Sequence, residues 1–250
     1  MERDIVMDVI LLSGEILVKS GAETFRAEDT MTRIAKSRGY DDARSFVTTT
    51  GFVFAYGKDY PAKVVDIKGR SIDLYKIDKV NSISRHLVTG EMEFEEAYEE
   101  LLEVLNMKHR YPLYLTTLMA GISSGAFIYI YQGKFVDMFP AAIAGALGFL
   151  ILSLVKKYTG VKFFGEFIAS LVVGIIAVIC VAINPEFSGD KIIICALMPL
   201  VPGVLLTIGV SDLMEGNYLA GTARVVEAVL VAFSIGFAVA GALSLGGKLL

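Results

Sequence analysis

The chain has 250 residues, 23 Lys+Arg against 27 Asp+Glu and a net charge of −4 at neutral pH, enough length for one or two domains. The charge is unevenly placed. Residues 1–112 hold 16 of the Lys+Arg and 20 of the Asp+Glu, whereas residues 113–250 hold 7 of each in strongly apolar sequence. An acidic polar part offers nucleic acid no basic footprint. Cys180 and Cys195 lie in apolar runs without metal-ligand spacing and read as free buried thiols, so no metal site is expected.

The opening MERDIVMD is charged and no cleavage site follows an apolar run, so no signal peptide is legible and the first part is expected to stay in the cytoplasm. Ile5, Val6, Val9, Ile10, Ile16 and Leu17 recur at helical spacing, predicting a helix over 3–19 stopped by Ser20-Gly21. A second helix is expected over 23–38, ended by Gly39. The period then shortens. Ser45–Thr50, Phe52–Tyr56, Ala62–Lys68 and Ser71–Tyr75 read as three or four short antiparallel strands. Asp78 is placed to cap a helix to about Leu87, and Glu93–Met107 forms a last, acidic helix. Residues 1–112 thus read as a compact α+β domain.

Five later segments approach the roughly 20 apolar residues that a bilayer core requires. They are Leu113–Tyr131, Phe139–Val155, Phe167–Ile183, Ile192–Val210 and Leu219–Leu245. The fold class expected is an α+β cytoplasmic domain (1–112) followed by an all-α membrane bundle of five transmembrane helices (113–250). Basic residues set the orientation. Lys108-His109-Arg110, read as a membrane-surface run, precedes the first span, and Lys156, Lys157 and Lys162 lie between the second and third. The opposite side carries only Lys134, Lys191 and Lys248, so the N-terminal domain is expected to face the cytoplasm. Gly121/Gly125, Ala141/Gly145 and Gly236/Ala240 are small pairs one turn apart, suited to close helix packing.

Two groups of residues stand out chemically. In SGAETFRAEDTMTR, residues 20–33, the polar residues Glu23, Arg26, Glu28, Asp29 and Arg33 crowd one helix. Glu23/Arg26 and Asp29/Arg33 have the spacing of ordinary surface pairs. The alternative is a polar network that docks the soluble domain under the membrane part, or a gate. The second group lies in the fourth and fifth spans. Pro202-Gly203 breaks a helix in apolar sequence, either as a plain packing kink or as a broken-helix site whose positive end suits a carboxylate, with Thr207 one turn on. Arg224 and Glu227 share a face, as a structural ion pair or as an anion clamp and a proton-exchanging acid. Asp212 and Glu215 fall in the connection Gly209–Asn217, either as solvated loop acids or as part of that site.

These residues resemble the threonine/serine exporter family. Ser20-Gly21-Ala22-Glu23 with Arg26, Glu28-Asp29-Thr30 and Arg33 is similar to its N-terminal motif. Pro202-Gly203, Asp212-Leu213, Gly216 and Gly221 to Arg224 are similar to its membrane motif. The family includes single chains with more spans and split systems in which a protein like this one works with a smaller five-span subunit. The resemblance implies export of small polar metabolites, threonine/serine-type amino acids or dicarboxylates such as succinate, by a multi-pass protein of the cytoplasmic membrane. The reading drawn is a secondary transporter subunit rather than an enzyme, with no cofactor, energised by the proton gradient. Its site residues are Pro202, Gly203, Thr207, Asp212, Arg224 and Glu227. Its partners are the lipid bilayer and a second five-span subunit or further copies of itself. The rival readings are a membrane-anchored hydrolase built on Glu23, Asp29 and Arg33, or a sensor whose spans are anchors.

Overall fold

Helix α1 (Ile5–Lys19) is apolar around most of its circumference, and Val9, Ile10, Ile16 and Leu17 are fully buried at the centre of the first core. Asp4 caps it, its Oδ1 accepting from the Met7 amide at 3.1 Å. Gly21, at φ +77°, ends it: the Ala22 amide reaches back to the Leu17 carbonyl at 3.0 Å, a left-handed reversal that favours glycine. Helix α2 (Thr24–Lys36) follows at once, then the antiparallel strands β1 (Arg44–Val47), β2 (Gly51–Ala55) and β3 (Lys63–Asp66), in that spatial order. Val47, Phe52 and Phe54 face the core, and the register sets Phe46, Val53 and Val64 side by side on the outer face. Helices α3 (Leu74–Thr89) and α4 (Phe94–Asn106) complete the layer. The computed structural model describes residues 4–107, 111–159 and 163–249. The basic run Lys108-His109-Arg110, Lys162 and the Lys248 side chain lie outside that description.

Two expectations for this part are corrected. Ser71–Tyr75 is not a strand, because the Ser71 and Asp73 amides donate to the Lys19 and Ser20 carbonyls at 3.0 Å each, tying the segment to the end of α1. The next helix is capped by Asp73 rather than Asp78: its Oδ1 accepts from the Lys76 amide at 3.1 Å.

The apolar sequence forms α5 (Leu113–Ile130), α6 (Met138–Thr159), α7 (Phe164–Ile183), α8 (Gly189–Leu197), α9 (Gly203–Met214) and α10 (Tyr218–Leu249). Among the described residues, four helices are long and apolar enough to cross a membrane, and the broken pair Gly189–Leu200 with Gly203–Met214 makes a fifth if counted as one span. The chain is therefore mostly helical, with one small sheet. It divides into two units: residues 1–109 with 204–226, and residues 110–203 with 227–250. The hairpin of α9 and the head of α10 thus belongs with the α+β residues.

In the second unit small residues set the helix spacing. Gly121 and Gly125 lie against Ala142, Ala146 and the carbonyls of Ala142 and Met138 on α6. Gly145 lies against Ser124, Gly148 against Val173, and Gly174 against Ala242. Gly236 and Ala240 do not join this packing. Both are exposed, Gly236 facing open space, and α10 instead buries Val231, Ile235, Ala238 and Ala242. The loops at one end tie themselves. Asp137 is fully buried, accepting from the Ser188 amide at 2.9 Å and the Lys134 amide at 3.1 Å. Lys191 Nζ donates to the carbonyls of Tyr131 and Gln132 at 3.1 and 2.6 Å. Across the α6–α7 connection, Lys156 Nζ meets Glu166 Oε1 at 2.8 Å.

Candidate functional site

The first unit gathers a polar cluster from three stretches of chain, built on the close approach of α9 and α10. A Cβ on Gly209 would press on Arg224 and Val225, and one on Gly221 would come within 2.8 Å of the Gly209 carbonyl. Glycine at both positions brings the two backbones together and sets Asp212 beside Arg224. Gly216, at φ +85°, ends α9, the Asn217 amide donating to the Asp212 carbonyl at 2.8 Å.

Asp212 is completely buried, and it lies within helix α9. Reading it as a solvated loop acid is therefore corrected; Glu215, beyond the helix, is exposed. Its Oδ1 accepts from both the amide and the hydroxyl of Thr24, each at 2.9 Å. Its Oδ2 stands 3.3 Å from Arg224 Nη1, an ion-pair contact outside hydrogen-bond geometry, and accepts no hydrogen bond among the described residues. Arg224 is only 3% exposed, and its Nη2 donates to the Ala22 carbonyl at 2.7 Å. Beside them, Ser211 Oγ donates to Glu23 Oε1 at 2.9 Å, and Glu23 also pairs with Arg26.

The arrangement follows from how α2 begins. Glu23 stands at its N-cap position but makes no side-chain cap, leaving amides at the positive end of the helix without a local acceptor. Asp212 supplies that acceptor from 188 residues away. A carboxylate at a helix N-terminus, bound also by a hydroxyl and faced by a guanidinium, pairs two buried charges. Glu28, one turn further along α2, accepts the Val47 amide at 2.8 Å. Burial pushes its carboxyl above the usual range; the Val47 amide opposes this and the nearby negative charge of Asp212 adds to it.

The expected site residues therefore separate. Asp212 and Arg224 meet, joined by Glu23 and flanked by Glu28. Asp29 and Arg33 pair with each other on the exposed side of α2, and Arg26 is more than half exposed, so Glu23, Asp29 and Arg33 do not converge. Pro202 stands at the break and α9 starts at Gly203, which is exposed with open space around its Cα. Thr207 is exposed too, roughly 140° around α9 from Asp212 at the usual helical turn. Glu227 is half-buried on α10, three residues after Arg224. Thr24, Ser211 and the Ala22 carbonyl were not expected. The one signal for Thr24 was indirect: α2 starts with a glutamate, a poor cap, so its amides needed an acceptor from elsewhere.

Comparison with known proteins agrees with this combination of motifs. The family model described as "Putative threonine/serine exporter" (ThrE) matches residues 8–246. "Pheromone-regulated membrane protein 10" of Pichia sorbitophila is 24% identical over 241 residues, covering 92% of this chain and 24% of that protein. "Probable succinate transporter subunit YjjP" of Klebsiella aerogenes is 24% identical over 243 residues, covering 92% of this chain and 90% of that protein. The chain thus spans about a quarter of the length of the fungal relative and most of the bacterial one. No solved structure matches it. The family match runs through both the Ser20–Arg33 motif and the Pro202–Arg224 motif, and the chain belongs to the threonine/serine exporter family.

Proposed function

We propose that the chain is a subunit of a secondary exporter for small carboxylate-bearing metabolites, either threonine/serine-type amino acids or dicarboxylates such as succinate. It would work in the cytoplasmic membrane with the α+β residues on the cytoplasmic side, alongside a second five-span subunit or further copies of itself, and draw on the proton gradient. Arg224 is the anion-binding group, and Asp212 or Glu227 carries the exchanged proton. The observation behind this reading is the buried Asp212–Arg224 pair, set in largely apolar sequence and held by the turn that opens α2. Ionisable groups in such sequence are costly and mark solute or proton pathways. The bacterial relative named as a succinate transporter subunit supports the dicarboxylate arm and the need for a partner.

The test is efflux from vesicles preloaded with threonine, serine or succinate, using the chain alone and then with a five-span family partner. Efflux of one solute class that needs the partner is expected, and Arg224→Ala is expected to abolish it while the protein still inserts. No efflux of any of the three solutes in either arrangement would overturn the reading.

A further inference from the structure

In its described state the Arg224 guanidinium faces the protein's own carboxylate. We propose that Asp212 occupies a carboxylate seat, formed by the Thr24 amide, the Thr24 hydroxyl and Arg224, in which the carboxylate of the transported metabolite binds when Asp212 leaves. The inference rests on the exporter reading and deepens it, by naming the chemistry of the seat and the group that blocks it.

Two observations carry it. Both Thr24 donors converge on one oxygen of Asp212, at 2.9 Å each, where α2 has no cap of its own. That is how a helix N-terminus binds a free anion. Second, Asp212 fills the seat imperfectly. Its Oδ2 is fully buried yet accepts no hydrogen bond among the described residues, although a guanidinium nitrogen lies 3.3 Å away. Arginine binds carboxylates best through two parallel N–H···O bonds. Asp212 is tethered to α9 and held by Thr24 through its other oxygen, and it does not reach that register. A mobile carboxylate carries no such tether and can take both guanidinium bonds once Asp212 has left. Arg224 holds its place in either state through the Ala22 carbonyl at 2.7 Å. Next to the seat, Glu23, bound by Ser211 and paired with Arg26, supplies a second pole that can sense the rest of the solute.

The experiment is thermal unfolding of the full chain in detergent, with no transport readout. Asp212→Ala empties the seat; Asp212→Asn removes its charge while preserving its shape. Each is titrated with sodium acetate, with sodium chloride at equal ionic strength and with neutral acetamide. The expected result is a saturable acetate-dependent rise of about 3 °C or more in the Asp212→Ala melting temperature. A smaller rise is expected in Asp212→Asn and none in the wild type, whose seat is full. Adding Thr24→Val or Arg224→Ala to the Asp212→Ala chain should abolish the rise. If Asp212→Ala does not fold, Asp212→Ser, too short to fill the seat, is titrated in its place and decides. No acetate effect in the variants that fold, or an equal effect of chloride, overturns the seat. Partner-dependent efflux together with no acetate rescue would remove the seat alone and leave the exporter reading standing.

Discussion

Asp212 and Glu166 are both carboxylates buried on apolar helices, and they are held in different ways. Asp212 takes two hydrogen bonds from the start of α2 and faces a guanidinium that is itself buried. Among the described residues Glu166 has one ion pair, to a lysine more than half exposed, and its Oε2 accepts no hydrogen bond. The contrast extends to the units around them. In the first, polar groups far apart in sequence lock one another in place. In the second, glycine and alanine set the helix spacing, and the long-range polar ties among the described residues, from Asp137 to the Ser188 amide and from Lys191 to the Tyr131 and Gln132 carbonyls, lie at the loops. Long-range polar pairing organises the start of α2 in the first unit, and small-residue packing forms the frame of the second.

The largest effect that tests this contrast is removal of one partner from each ion pair. Arg224→Ala leaves Asp212 buried without its cation and should cost about 3–5 kcal/mol. Lys156→Ala removes a screened, half-exposed lysine and should cost about 1 kcal/mol or less. The double variant Arg224→Met/Asp212→Leu should recover only part of the loss, because it removes the stranded charge but leaves the Thr24 amide and hydroxyl and the Ala22 carbonyl without their partners. Thermal and denaturant unfolding in one detergent measures all three. Equal losses at Arg224 and Lys156 would erase the distinction between the two carboxylates.

A second, smaller effect tests the frame. Gly145→Val forces a side chain into Ser124 and should cost about 1–3 kcal/mol by overpacking. Gly236→Ala meets open space and should be neutral or stabilising by about 0.5–1 kcal/mol, since glycine is a poor helix former. A large loss from Gly236→Ala in the full chain would mean that the exposed face of α10 is covered by something else.

Much of this fold was legible in the sequence, because its signals are local. Apolar length gave the long helices, Gly21 and Gly39 ended helices where expected, and alternation gave three strands. What failed was local signal overruled by distant contacts. The chain at Ser71–Asp73 has strand-like residues, but its amides go to the end of α1. Gly236 and Ala240 have the right spacing on a face that nothing described packs against. The site divides in the same way. Arg224 and Asp212 stood out as ions in apolar sequence. Thr24 did not, because a threonine at the start of a helix is unremarkable until its acceptor proves to lie 188 residues away.

The smallest effect concerns how far the charge of Asp212 reaches. Glu28 is half-buried, and its carboxyl is raised above the ordinary 4.5, first by burial and then by Asp212, against the favourable Val47 amide. The native state therefore holds a proton at this site more tightly than the unfolded chain does. Between 4.5 and the raised value, stability contributed here falls as pH rises. Glu28→Gln keeps an acceptor for the Val47 amide and carries no charge. It should match the wild type below pH 4.5, then become more stable by about 1–2 °C as pH rises and Glu28 ionises in the wild type. Repeating the series in the Asp212→Asn background should shrink that advantage, because one of the two causes of the shift is gone. An advantage unchanged by Asp212→Asn would mean that burial alone acts on Glu28 and that the charge of Asp212 is confined to its pairing with Thr24 and Arg224.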